Sequence, residues 1–154
     1  MYTIKRGSPD WPLRLDHLDD PPERLWVVGG ERLAFDTAMS VAMVGARAST
    51  AYGESVATEM AIGLVDRDYA VVSGGAYGID QASHRGALAN DGCTVVVLAC
   101  GVDVAYPRAH ADLFERVVGN GGYLVSEYPP GSAPNRDRFI QRNRIIAALA
   151  EGMV

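Results

Sequence analysis

The sequence predicts an α/β domain of the doubly wound type, a mostly parallel sheet with helices on both faces. Two patterns and one size consideration lead there. Four short apolar runs, at 41–44, 70–73, 94–99 and 123–126, each precede a stretch with helical spacing, and strands apolar on both sides must be covered on both faces. All four runs end beside Gly45, Gly74, Gly101 or Glu127, at the carboxyl edge where open α/β sheets take their ligands. The 154 residues, 48% apolar and 21% charged, suit one globular domain with a core of its own.

Residues 1–40 form a proline-rich lead. Pro9, Pro12, Pro21 and Pro22 forbid a long helix, so 10–24 reads as an extended arm or a short turn-and-helix piece packed on the body. Residues 25–28 add a small strand before the Gly29-Gly30 turn. The body, 41–154, opens with Val41-Ala42-Met43-Val44, after which Val56, Met60 and Leu64 recur every four residues as one helix face. The second run feeds a helix reaching about Ala89, the third a helix over 109–118, and the fourth a helix over 142–149.

A net charge of −5 and a pI near 5.1 exclude a protein that coats nucleic acid through its overall charge. Any polyanion site must be a local basic patch. Cys93 and Cys100 share no metal-ligand spacing and sit beside or within apolar sequence, so reduced, packed thiols, no metal and a cytoplasmic address are expected. No apolar leader follows Met1 and no apolar run approaches membrane-spanning length, which predicts no membrane partner.

The loops at the carboxyl edge carry the candidate site. In Ser73-Gly74-Gly75-Ala76-Tyr77-Gly78-Ile79-Asp80 a strand enters glycines and then a helix. Glycines permit close backbone approach, and N–H groups at a helix start point toward a negative group; Ser73, Gly74, Gly75 and Gly78 are therefore expected to cradle phosphate, although such a cluster also serves as a plain turn. The first loop offers the Arg47 guanidinium and the Ser49 hydroxyl, with Ser49 or Thr50 suited to cap the next helix. In the third loop Pro107 stiffens the chain after Tyr106, and Asp103 suits a turn as well as a ligand contact. The last loop brings Arg136, Arg138, Arg142 and Arg144 together with Phe139 and Asn143, and Asp137 is the only acid before Glu151. Arginines interleaved with an aromatic ring match what single-stranded nucleic acid requires, guanidinium groups for phosphates and a ring for a base. Each residue also has a plainer use, Arg142 and Arg144 as helix-face charges and Phe139 as core.

These motifs, Val44-Gly45-Ala46-Arg47 with Tyr52-Gly53, the Ser73–Asp80 glycine segment with His84, Gly101-Val102-Asp103 with Tyr106-Pro107, Ser126-Glu127-Tyr128-Pro129-Pro130-Gly131, and Phe139 with Arg142-Asn143-Arg144-Ile145-Ile146-Ala147, together resemble the DNA-processing protein A (DprA/Smf) family. The resemblance extends along nearly the whole chain, with Phe139-Ile140 where the family usually has Phe-Pro and Ser83-His84 where it usually has Ala-His. It implies a Rossmann-like fold and a cytoplasmic, non-enzymatic protein that binds single-stranded DNA during natural transformation and competence, loads the recombinase RecA in DNA recombination, and pairs as a homodimer. It also implies DNA contact by Arg47, Ser73, Gly74, Gly75, Gly78, Arg136, Phe139, Arg142, Asn143 and Arg144, with Ser49 beside them, and no cofactor. The family continues past Val154 into a further strand and glycine-rich helices, so the domain is expected to be incomplete at its C-terminal end.

The competing reading is a nucleotide-binding or nucleotide-hydrolysing protein of the related lysine-decarboxylase-like (LOG) Rossmann fold. Its Pro-Gly-Gly-x-Gly-Thr-x-x-Glu signature is absent, no Walker lysine follows Gly75 or Gly78, and no G-x-G-x-x-G opens a helix. Asp80, His84 and Glu127 remain a candidate acid–base set, and a nucleotide sensor without catalysis would use the same rim.

Overall fold

The computed structural model describes residues 1–154. Its strands are β1 (Tyr2–Lys5), β2 (Arg24–Gly29), β3 (Ser40–Ala42), β4 (Ala70–Ser73), β5 (Thr94–Val97), β6 (Tyr123–Ser126) and β7 (Gly152–Met153). Its helices are α1 (Leu33–Asp36), α2 (Ala51–Val65), α3 (Ile79–Ala89), α4 (Ala111–Gly119) and α5 (Arg136–Leu149), with 3₁₀ turns at Leu13–His17 and Arg108–His110. One sheet runs in the order β1-β2-β6-β5-β4-β3-β7. Pairing is parallel from β6 through β5, β4 and β3 to β7, while β2 joins β6, and β1 joins β2, antiparallel.

The apolar strands are covered on both sides, as a doubly wound Rossmann-like sheet requires. Alternate residues go to opposite cores. Val72, Val95, Val97 and Val125 face α5 through Ile145, Ile146 and Leu149, and the same core takes Trp11, Leu15, Leu25, Val27 and Leu33 from the first forty residues. On the other face Val96, Leu98 and Leu124 meet Leu113, Phe114 and Val117 of α4, and Met43 and Val71 meet Ala57 and Ala61 of α2 with Ala82 and Ala87 of α3.

Several elements differ from their predicted form. The buried face of α2 is Ala57 and Ala61, whereas Met60 is exposed and Val56 and Leu64 are half-buried. The reason is how closely α2 lies on α3. A Cβ at Gly86 would fall 2.5 Å from the Thr58 carbonyl oxygen and 2.9 Å from the Ala61 side chain, so only small residues fit there. The first body strand sits at Ser40–Ala42 rather than 41–44, and the third ends at Val97 rather than Ala99, where the Val97 carbonyl turns to Arg142. The last helix begins at Arg136, not Arg142, because the Asn135 side chain accepts the Arg138 N–H at 2.9 Å and caps a polar first turn. Strands β1 and β7 and the single-turn α1 are additions. Both β7 residues are exposed and only Ile4 of β1 is buried, so neither carries an apolar rhythm a sequence could show. No helix is long and apolar enough to cross a membrane.

Candidate nucleic-acid interface

The glycine segment between β4 and α3 is packed against its neighbours rather than open. Gly75 and Gly78 take φ values of +70° and +79°, which favour glycine. Added Cβ atoms would lie 2.7 Å from Val96 at Gly75, 2.2 Å from the Ala46 carbonyl oxygen at Gly78, and 2.7 Å from the Arg142 guanidinium at Gly74. Ser73 is fully buried and donates its hydroxyl to the Met43 carbonyl at 2.6 Å, tying β4 to the end of β3.

Two N–H groups of this turn are engaged within the chain. Ala76 N–H donates to the Asp80 carboxylate at 3.3 Å, and Ile79 N–H to the Ala46 carbonyl at 3.2 Å. Asp80 of the chain itself thus accepts one N–H at the start of α3, while Ser73, Gly74, Gly75 and Gly78 pack against Met43, Arg142, Val96 and Ala46. Burial raises the Asp80 carboxyl above the usual carboxylate range, opposed by the Ala76 hydrogen bond and by the Arg142 charge.

Arg142 is only 4% exposed. It donates to the carbonyls of Gly74 at 2.8 Å and Val97 at 2.6 Å, joining α5 to the ends of β4 and β5. Burial pulls its pKa below the usual arginine range, and the Asp80 charge pushes back. Arg144 is committed within the chain: it grips Glu127 through two hydrogen bonds of 2.6 and 2.7 Å and reaches the Asp20 carbonyl at 3.1 Å. The Glu127 hydrogen bond raises its pKa. Ser49 donates to Glu54 at 2.6 Å, while Thr50 is the residue that caps α2, accepting Gly53 N–H at 3.0 Å.

What the fold does bring together is Arg47, Arg136, Phe139 and Asn143. They line one open cleft of about 640 Å³ with Arg142 at its base, and an adjoining 250 Å³ cavity continues from Arg47 and Asn143 to Asp80 and Gly45. The exposed Arg47 guanidinium lies 5.0 Å from the centre of the Phe139 ring, a cation–π distance. Phe139 is half-buried and belongs to none of the three cores. The rim loops are tied to each other, with Asp103 accepting Gly131 N–H at 2.8 Å.

Sequence reasoning passed over Tyr106 and Tyr77 as site residues. Both are exposed beside Arg47 and Phe139; a tyrosine in the loops after the second and third runs was the available signal. The proposed acid–base set does not assemble. Asp80 accepts the Ala76 N–H, Glu127 is held by Arg144, and the fully buried His84 meets the Thr94 hydroxyl at 2.7 Å from Nδ1. Burial lowers His84 to about 3, so its ring is neutral. The cysteines are free, and burial pushes Cys93 up to about 12 and Cys100 to about 11.

The family model for DNA recombination-mediator protein A matches residues 2–154. The chain belongs to this family. It is 53% identical over 133 residues to a DNA processing protein DprA of Mycobacterium tuberculosis, covering 86% of this chain and 34% of that protein. It is 39% identical to the DNA processing protein DprA of Streptococcus pneumoniae, covering 94% of this chain and 50% of the relative. The X-ray structure of the Streptococcus pneumoniae protein superposes with a TM-score of 0.89 at 35% identity, over 99% of this chain and 52% of that one. DNA processing protein A from Helicobacter pylori, solved for its single-stranded DNA binding mode, superposes at 0.87 with 31% identity, over 99% and 66%. The chain spans half or less of the length of these two curated DprA relatives.

Proposed function

We propose that this domain binds single-stranded DNA across the cleft between the first edge loop and the start of α5, acting as a binder and mediator rather than an enzyme. The carrying observation is the basic, aromatic cleft in a chain of net charge −5: Arg47 over Phe139, with Arg136 and Asn143 along the same wall. Guanidinium groups neutralise phosphates and a ring stacks on a base without reading sequence. The Helicobacter pylori relative, described by its single-stranded DNA binding mode, supports the same reading.

Within the site, Arg47, Arg136, Phe139 and Asn143 contact the strand. Ser73, Gly74, Gly75, Gly78 and Arg142 shape its floor, and Ser49 and Arg144 hold neighbouring elements in place. A role in loading RecA during natural transformation, a homodimer and a cytoplasmic location complete the proposal for the longer family protein, with residues 1–40 acting as an arm and strand packed on the 41–154 body.

The test is titration of a fluorescent oligothymidylate and of a duplex of equal length at about 50 and 200 mM salt. The single strand is expected to bind more tightly, with affinity falling as salt rises, and Arg47→Ala should weaken binding and lower the salt slope by about one. Equal duplex binding or a flat salt response would overturn the reading, and displacement by mononucleotides alone would favour the nucleotide-binding alternative.

A further inference from the structure

Three side chains belong to two cavities at once. Arg47, Tyr106 and Phe139 line both the open cleft that runs past Arg136 and Asn143 and a narrow slot that reaches Gly74, Ala76 and Tyr77. They are the ridge between the two. On that ridge and beside it stand two rings open to solvent, Tyr106 at 45% and Tyr77 at 48% exposure.

Each open ring is braced by another ring. Tyr106 packs on Phe139 with centroids 5.5 Å apart. Tyr77 meets His110 edge-on at 4.8 Å, and His110 Nδ1 lies 2.8 Å from the Gly75 carbonyl. A ring already held in place loses little freedom when a partner stacks on it. Phe139, by contrast, has Arg47 and Tyr106 against it already. Tyr106 offers the more accessible ring surface, and Phe139 supports it.

We infer that Tyr106 is a base-stacking residue of this site, and that the ridge of Arg47, Tyr106 and Phe139 separates two consecutive bases of a bound strand, with Tyr77 as the platform on the slot side. The inference rests on the single-stranded DNA reading above. It gives that site a footprint of at least two stacked bases, with the Arg47 charge between them to meet the intervening phosphate.

The experiment compares two probes of equal length and charge, an oligothymidylate and an abasic deoxyribose-phosphate strand. The parent protein should bind the oligothymidylate more tightly, by about tenfold for each stacked base. Tyr106→Leu keeps apolar packing on Phe139 and should lose about tenfold on the oligothymidylate, with no change on the abasic strand and an unchanged salt slope. Tyr106→Trp should retain binding and show indole fluorescence quenched by the oligothymidylate but not by the abasic strand. Tyr106→Leu binding like the parent, or losing the same factor on both probes, overturns the stacking role; so does an unquenched Tyr106→Trp. A parent that binds both probes equally sinks base stacking while leaving strand binding intact. A parent that binds neither removes the functional reading itself. Should Tyr106→Leu fold poorly, the quenching result decides alone.

Discussion

Replacing Arg142 with alanine separates an arginine that builds the site from one that merely visits it. The side chain is 4% exposed and its Nη1 serves two carbonyls, those of Gly74 and Val97. Each is a charge-assisted bond worth roughly 1.5–3 kcal/mol, and Asp80 loses the opposite charge that favours its ionised form. Removing one partner of such a buried set costs about 3–5 kcal/mol, because the groups left behind stay desolvated and unpaired. Urea unfolding followed by circular dichroism should therefore show Arg142→Ala less stable by that amount at pH 7. The deficit should shrink toward pH 4. Asp80 has a folded pKa above its unfolded value, so its contribution is present at low pH and lost as pH rises through the folded pKa; without Arg142 that pKa climbs further and the loss at neutral pH grows. Adding Asp80→Asn to Arg142→Ala should recover part of the stability, as coupled neighbours do. An Arg142→Ala protein within about 1 kcal/mol of its parent at pH 7, far below the cost of stranding a buried partner, would refute the structural role and return Arg142 to the set of free phosphate contacts.

Phe139→Ala should cost less stability than a core phenylalanine. Its neighbours are the Tyr106 ring and the Arg47 guanidinium, worth about 0.5–1.5 and 0.5–1 kcal/mol, against roughly 3–5 kcal/mol for truncating a packed core ring. Binding of single-stranded DNA should weaken by about 1–3 kcal/mol with the salt slope preserved; a large drop in melting temperature with normal binding by the folded fraction would place Phe139 in the core. His84 predicts an acid sensitivity. Its pKa is lowered from 6.5 to about 3 by burial, so between those values the unfolded chain holds the extra proton and stability falls as pH falls, by up to about 1.4 kcal/mol per unit. His84→Gln should flatten the stability profile between pH 6.5 and about 3, and an unchanged slope would show that the ring is hydrated in the native state.

Local chemistry determines much of this protein's fold. The continuous apolar runs at 70–73 and 123–126 became β4 and β6 with the predicted bounds, because a strand buried on both faces has to be apolar at every position. The carboxyl-edge loops converged, bringing Arg47 to Phe139 across ninety-two positions of sequence, since parallel strands joined by helices place all their carboxyl ends on one edge. Elements held by hydrogen bonds to a neighbour rather than by their own apolar pattern were not legible, and β1, β7 and the first turn of α5 are of that kind.

Tertiary structure alone sorted the arginines. By type and spacing Arg47, Arg136, Arg142 and Arg144 are alike, yet Arg142 is buried against two strand ends, Arg144 is committed to Glu127, and Arg47 and Arg136 stand exposed along the cleft. The same holds for the glycine segment, where the Ala76 N–H meets the Asp80 carboxylate of the chain itself. A guanidinium or an N–H group fixes what kind of partner will be taken. Which partner it meets depends on what the folded backbone carries within about 3 Å of it, and that distance is set by packing between elements far apart in sequence.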